Sequence, residues 1–278
     1  MKNFMYLLLF MLLLIPCKSL FAEEYTLIEK TVETSYYKSV DVNTVLGDVV
    51  VNSWDLQLFN VVIKGNLNAV KNIDYTIDIK DSSITVTTFK KGSAVFIATE
   101  LKLKIEITVP KFYHVSVKSS GGEVKVSSIT GVLKVETASD GIYINNHTGD
   151  ADLKTAGGDI KDVNFKGKVT AFTAGGDITL DGAEGEINST TAGGDIKLNY
   201  AGTNKGIYLK SNGGNIKIFL PELFKATLDI SATGGDIKSD YSVLIKKDAN
   251  TQVQKGDING GGNVVKCITM GGKITVSK

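Results

Sequence analysis

Thr155-Ala156-Gly157-Gly158-Asp159-Ile160, Thr173-Ala174-Gly175-Gly176-Asp177-Ile178 and Thr191-Ala192-Gly193-Gly194-Asp195-Ile196 are one hexapeptide motif written three times at a spacing of 18 residues. Towards the N-terminus the same unit appears in looser form as Ser119-Ser120-Gly121-Gly122-Glu123-Val124 and Thr137-Ala138-Ser139-Asp140-Gly141-Ile142, again 18 apart. Towards the C-terminus the spacing slips to 20 at Ser211-Asn212-Gly213-Gly214-Asn215-Ile216 and to 21 at Ala232-Thr233-Gly234-Gly235-Asp236-Ile237. The unit then returns after 37 residues at Thr269-Met270-Gly271-Gly272-Lys273-Ile274. A second, offset series runs through Gly131, Gly149, Gly167, Gly185 and Gly206. A fixed period of this length marks a repeat architecture.

Each unit holds two short strands, each introduced by glycine. Val169, Ala171 and Thr173 alternate on one strand and Ile178 and Leu180 on the next, the period-2 pattern of a half-buried strand. Two strands of about five residues leave an apolar face uncovered unless the next unit stacks on it. The expected fold is therefore all-β: a single-chain, β-helix-like solenoid of two-strand rungs about 4.8 Å apart, right-handed as parallel crossovers generally are. The glycine pairs form its structural corners, where the backbone needs positive φ or close approach to a neighbour. The insertions 199–205 and 219–225 fall at the two slips of phase and are expected to bulge from one corner.

Residues 119–278 carry the repeats, whereas residues 23–118 are β-rich but less regular. The stretch 42–51 contains a Gly47-Asp48-Val49 corner and reads as an early rung. Stretches 56–64, 73–80, 83–89 and 101–109 read as longer antiparallel strands with one wet face, capping or flanking the first end of the solenoid. Residues 1–22 read as a cleaved secretory signal: Lys2, an apolar run over 4–15, Pro16, then Leu20-Phe21-Ala22 before a cut at Glu23. The protein is thus expected to be exported, to the periplasm or the cell surface, with no stable transmembrane span after cleavage.

All 31 basic residues of the 278 are lysine, against 30 acidic ones, and losing Lys2 and Lys18 with the signal leaves 29 against 30. A nearly neutral chain without arginine lacks bidentate phosphate grips and a basic excess, so nucleic acid is not expected as a partner. His114 and His147 lie 33 residues apart and only Cys267 follows the signal, which excludes thiolate zinc sites and an intrachain disulfide framework in the mature chain. No cofactor is implied. Cys267, beside Val264, Val265 and Ile268, reads as a small buried hydrophobe, with an intermolecular bridge as the alternative.

Ile107-Thr108-Val109-Pro110, Val115-Ser116-Val117-Lys118-Ser119-Ser120-Gly121-Gly122 and the following Thr-Ala-Gly-Gly-Asp-Ile series together resemble the bacterial putative-adhesin family of unknown function. The opening Val42-Asn43-Thr44 to Val49-Val50-Val51, followed by Trp54-Asp55, is similar to how that family begins. The resemblance covers the chain from about residue 40 to its end. It implies a glycine-rich β-solenoid of exported or envelope proteins; the motifs specify fold rather than activity.

The corner carboxylates Asp159, Asp177 and Asp195, with Glu123 before them and Asp236 after, stack into a column if the rungs are in register. Like charges so close repel unless compensated. Lys161, Lys197, Lys217 and Lys238 two residues on, or Asx turns to the corner's own backbone, give a structural answer; calcium binding along Asp159, Asp177, Asp195 and Asp236 is the functional one. Gly141, Asn215 and Lys273 interrupt that column. Thr137, Thr155, Thr173 and Thr191 read as an inward hydrogen-bonded ladder. Neither histidine lies near a nucleophile elbow, and both read as ordinary polar residues. Tyr143, Phe172 and Tyr208 point outward by alternation and Trp54 stands in a turn, so these four aromatics are the candidate binding face. The reading is a non-enzymatic exported protein, an adhesin or recognition module for a protein or glycan ligand not specified by the sequence. The alternatives are a periplasmic envelope scaffold self-associating end to end and, third, a calcium-binding or polysaccharide-acting β-helix.

Overall fold

The computed structural model describes residues 24–34, 38–80, 82–92 and 101–278, so the signal reading at 1–22 lies outside the described residues. The chain opens with β1 (Tyr25–Glu33), β2 (Ser39–Thr44), β3 (Asp48–Trp54), β4 (Leu58–Gly65), the short helix α1 (Leu67–Asn72), β5 (Ile73–Lys80), β6 (Ser83–Lys90) and β7 (Leu103–Pro110). Regular rungs follow, each a strand, a tight corner and a second strand. They are β8 (His114–Ser119) with β9 (Val124–Ser127), β10 (Leu133–Thr137) with β11 (Ile142–Asn145), and β12 (Ala151–Thr155) with β13 (Ile160–Lys166). Next come β14 (Val169–Thr173) with β15 (Ile178–Ala183), β16 (Ile187–Thr191) with β17 (Ile196–Ala201), and β18 (Ile207–Ser211) with β19 (Ile216–Phe219). The chain finishes with β20 (Ala226–Thr233), β21 (Ile237–Ser239), β22 (Ile245–Asp248), β23 (Thr251–Ile258), β24 (Val264–Thr269) and β25 (Ile274–Ser277). Among the described residues no helix is long and apolar enough to cross a membrane.

First strands of the rungs stack into a 13-stranded front sheet and second strands into a 12-stranded back sheet. The core fills the space between them in columns one residue wide. On the back sheet Val124, Ile142, Ile160, Ile178, Ile196, Ile216 and Ile274 lie in register, all buried. Front-sheet residues Leu133, Ala151, Val169, Ile187, Ile207 and Val265 form the facing wall. Strict alternation of these with exposed polar residues is what makes each five-residue segment a strand rather than a helix. Cys267 belongs to the same wall, fully buried, and burial pushes its thiol up to about 12; the hydrophobe reading holds and no intermolecular bridge can reach it.

Spatial order departs from chain order at both ends. The pair β6 and β7 lies outside β2 and β3 and parallel to them, with Val40 against Ile84 and Val49 against Ile105. Stretches 83–89 and 101–109 are therefore a rung on one side, parallel to β2 and β3, and carry the expected antiparallel strands on the other, β6 pairing with β5 and β7 with β4, which in turn pairs with β1. The early rung at 42–51 is real but sits second. At the far end β24 and β25 slot between β18/β19 and β20/β21, so Gly213-Gly214 is covered by Gly271-Gly272, 58 residues away, and not by Gly234-Gly235. The chain passes over one rung position after 219–225, returns antiparallel along β20 as β23, and fills the position last.

Candidate functional site

The repeated corner is built from three interlocking ladders. Second glycines of the pairs are required by close approach: a Cβ on Gly176 would lie 2.1 Å from the Gly158 carbonyl oxygen, and one on Gly194 would lie 2.1 Å from that of Gly176. The hydroxyls of Thr155, Thr173, Thr191, Ser211 and Thr269 point inward; that of Thr173 donates to Gly158 O at 2.9 Å and accepts the Gly176 N–H at 3.2 Å. Thr137, first in the predicted ladder, has a buried hydroxyl without a partner, because its corner reads Ser139-Asp140-Gly141.

The carboxylate column is in register, and its compensation is neither a lysine pair nor an Asx turn. Asp159 Oδ1 accepts the Asp177 N–H of the next rung at 2.8 Å, Asp177 Oδ1 that of Asp195 at 2.7 Å, and Asp195 Oδ1 that of Asn215 at 2.7 Å. Asn215 Oδ1 then accepts the Lys273 N–H at 2.9 Å, which carries the ladder across the change in chain order. Each carboxylate thereby satisfies a corner N–H that no strand reaches. Asp236 stands apart, accepting from Gln252 Nε2 at 2.9 Å. Among the described residues no three His, Cys, Asp or Glu side chains converge as a metal site. Asp177→Asn, which keeps an acceptor as Asn215 does, is expected to leave stability within about 0.5 kcal/mol, whereas Asp177→Ala costs about 1 kcal/mol by orphaning the Asp195 N–H. Urea unfolding distinguishes the two, and calcium should leave the midpoint of the unsubstituted chain where it was.

The four aromatics do not share a face. Tyr143 lies on the back sheet between Lys125 and Lys161, with Lys125 Nζ 5.9 Å from its ring centroid. Trp54 ends β3 on that sheet, half-buried, its Nε1 donating to Leu58 O at 2.7 Å. Phe172 and Tyr208 are on the front sheet, two rungs apart and so about 10 Å from one another along the axis. Phe172 is 44% exposed between Lys154 and Thr190, and Tyr208 is half-buried between Asn188 and Lys266.

Two core groups escaped the sequence reading. Asp162 occupies the inward column Val126, Ile144, Leu180, Leu198, fully buried with both carboxylate oxygens unpartnered, and burial raises its carboxyl to about 7. The 18-residue period announces it, because other rungs place Ile144, Leu180 and Leu198 there. His147, expected to be an ordinary turn residue, is buried in line with Ile129 and Phe165; its Nε2 lies 3.2 Å from Gly131 O, and burial lowers its pKa. His114 is exposed, its Nδ1 accepting the Val132 N–H at 2.9 Å.

The insertions serve the changed rung order more than any ligand. Asn204, nearly buried, donates to the carbonyls of Lys225 and Asn263, and Asn263 donates back to Asn204 O, so 199–205, 219–225 and the turn before β24 are tied together. Tyr200 packs edge-on against Phe224 and donates to Gly185 O at 2.9 Å. At the other end, a groove of about 960 Å³ beside the corner column is lined by Leu46, Leu101, Leu103, Asp48, Lys64 and Lys104. Two of its three lysines, Lys104 at 2.6 Å and Lys64 at 2.7 Å, are engaged with Glu106 and hold that carboxyl below its usual range.

These features define a repeat β-solenoid whose corner polar groups bond to its own backbone. The chain belongs to the Toastrack DUF4097 family, whose profile matches residues 37–277. Among solved structures it is similar to a putative adhesin from Parabacteroides distasonis, at 16% identity over 91% of this chain and 97% of that one, with a TM-score of 0.44. It is also similar to a putative adhesin from Bacteroides fragilis, at 15% identity over 90% and 95% with a TM-score of 0.40. A putative lipid-binding protein from Parabacteroides distasonis is 13% identical over 90% and 96%, with a TM-score of 0.37. No curated protein matches the sequence.

Proposed function

We propose that this is a non-enzymatic exported protein of the cell envelope or surface that presents a rigid β-solenoid as a recognition module, using the front sheet. The observation behind this reading is Phe172, 44% exposed in the interior of a parallel sheet and flanked there by polar side chains. A ring held on a rigid sheet stacks on a sugar face or an apolar side chain at little entropic cost. Tyr208, Lys154, Lys210 and Lys266 extend the surface along the rungs, which fits an extended glycan or protein segment lying lengthwise. Rigidity is supported by the corner ladders, which leave each rung bonded to its neighbours through side chains as well as strands.

The test is a screen of the purified mature chain against arrayed glycans and envelope or host surface proteins, repeated with Phe172→Ala and Tyr208→Ala. Loss of about 1 kcal/mol or more of affinity in either variant supports the front-sheet face. A ligand whose binding neither variant alters sinks the choice of face. Digestion by protease on intact cells places the solenoid outside, and protection until permeabilisation places it in the periplasm.

A further inference from the structure

Among the described residues the front sheet ends in two strands with one free edge each, of opposite charge character. In the front sheet the first edge strand is β5, which presents Asp74, Thr76, Asp78 and Lys80 outward, and the last is β22, which presents Lys246 and Asp248 outward and carries Lys247 on the same side as Ile245. Asp78 and Lys246 are exposed and have no ion-pair partner among the described residues. Apolar side chains at both ends are incompletely covered: Ile79 is 36% exposed on β5, Ile245 is half-buried on β22, and Leu244 is 72% exposed.

We propose that the protein associates head to tail with a second copy of itself, β22 of one molecule adding to β5 of the next with Lys246 opposite Asp78. Strand directions permit this. The strand β5 runs against its neighbour β6 and so against the rungs. At the other end β23 runs against β20, and β22 against β23, so β22 runs with the rungs. Continuing the sheet from one molecule into the next therefore makes an antiparallel pair, the more stable kind per residue.

Side-chain parity then selects the register. Ile79 and Ile77 face the core, opposite buried Ile84 and Val86, and Ile245 faces it beside buried Gln254. Setting Lys246 opposite Asp78 brings Ile245 opposite Ile79 and Lys247 opposite Ile77 on the inner face, and Asp248 opposite Thr76 on the outer. A shift of two residues in one direction opposes Asp248 to Asp74, a repulsive pair. Joining like ends would instead set Asp74 opposite Lys80 twice, or Lys246 opposite Asp248 twice, in a closed dimer; only the head-to-tail joint sets Lys246 against Asp78, so exchanging those two charges separates the arrangements. The contact joins different surfaces and does not close on itself, so it propagates into a rod. It leaves the front-sheet surface around Phe172 uncovered and stands or falls separately from the recognition reading.

Sedimentation velocity of the mature chain over a concentration series, at low and high salt, provides the test. Mass should grow with concentration at low salt and the growth should weaken at high salt. Lys246→Glu and Asp78→Lys should each weaken association by about tenfold or more, and the double variant should restore it, because the charges are then exchanged. Circular dichroism and thermal unfolding confirm that each variant is folded. A chain that stays monomeric throughout, association indifferent to both reversals, or a double variant no better than the singles each overturns the proposal.

Discussion

Asp162→Leu is expected to stabilise the protein at pH 8 by about 4 kcal/mol, a gain that shrinks as the pH is lowered towards 4. Asp162 is fully buried, neither of its oxygens has a partner, and its carboxyl is raised to about 7. The folded state therefore holds this proton more tightly than the unfolded chain, whose carboxyl titrates near the usual value of about 3.9. Stability from this group is complete below the unfolded value and is lost progressively as the pH rises through about 7. Leucine matches the column neighbours Ile144 and Leu180 and removes both the ionisation and the buried polar atoms. Asp162→Asn serves as the control that abolishes titration while keeping the shape. Urea unfolding of the three chains between pH 4 and 8 makes the comparison directly. If Asp162→Asn and the unsubstituted chain follow parallel curves, the burial account is wrong. His147, whose pKa is lowered, acts in the opposite sense in all three chains, so the differences between them isolate Asp162.

Gly176→Ala and Gly175→Ala, adjacent and chemically identical changes, are expected to differ by about 3 kcal/mol or more. At Gly176 the new Cβ would meet the Gly158 carbonyl oxygen at 2.1 Å and its carbon at 2.5 Å. Backbone cannot yield there as a flexible side chain could. Opening the gap would stretch the hydrogen bonds of Thr173 to Gly158 O and of Asp177 N–H to Asp159. At Gly175 the nearest atom is Gly157 O at 3.5 Å, an ordinary contact, and the alanine also lowers the entropy of the unfolded chain. Equal effects of the two changes in denaturant unfolding would mean that rung spacing is not limited by the second glycine.

Several features of the fold and corner are legible residue by residue. The period of 18 places Ile160, Ile178 and Ile196 in one buried column, Thr155, Thr173 and Thr191 in an inward ladder, and Gly158, Gly176 and Gly194 at the tight corner, where the structure has them. It also holds the signal for Asp162 and His147, which interrupt apolar columns at the same spacing. The candidate face was less legible. Alternation correctly turned Tyr143, Phe172 and Tyr208 outward, yet it does not say that Tyr143 belongs to second strands and the other two to first strands, which are opposite sides of the solenoid. The partner of Asp159 was equally hidden, because the nearest N–H in sequence is its own corner's while the nearest in space is Asp177's.

By itself the sequence determined that the chain is a stack of two-strand rungs, with which side chains point in and which glycines admit no side chain. Those are demands each rung makes locally, through burial at every second residue and through the backbone at its corner. Only the tertiary structure decided which rung lies on which. One Thr-x-Gly-Gly corner fits beneath another as well whether the next is 18 residues on or 58, so stacking chemistry alone does not order the rungs. The order follows from the connections. The ties of Asn204 to Lys225 and Asn263 hold β24 and β25 inside β20 and β21, and that order leaves β22 outermost at this end of the front sheet.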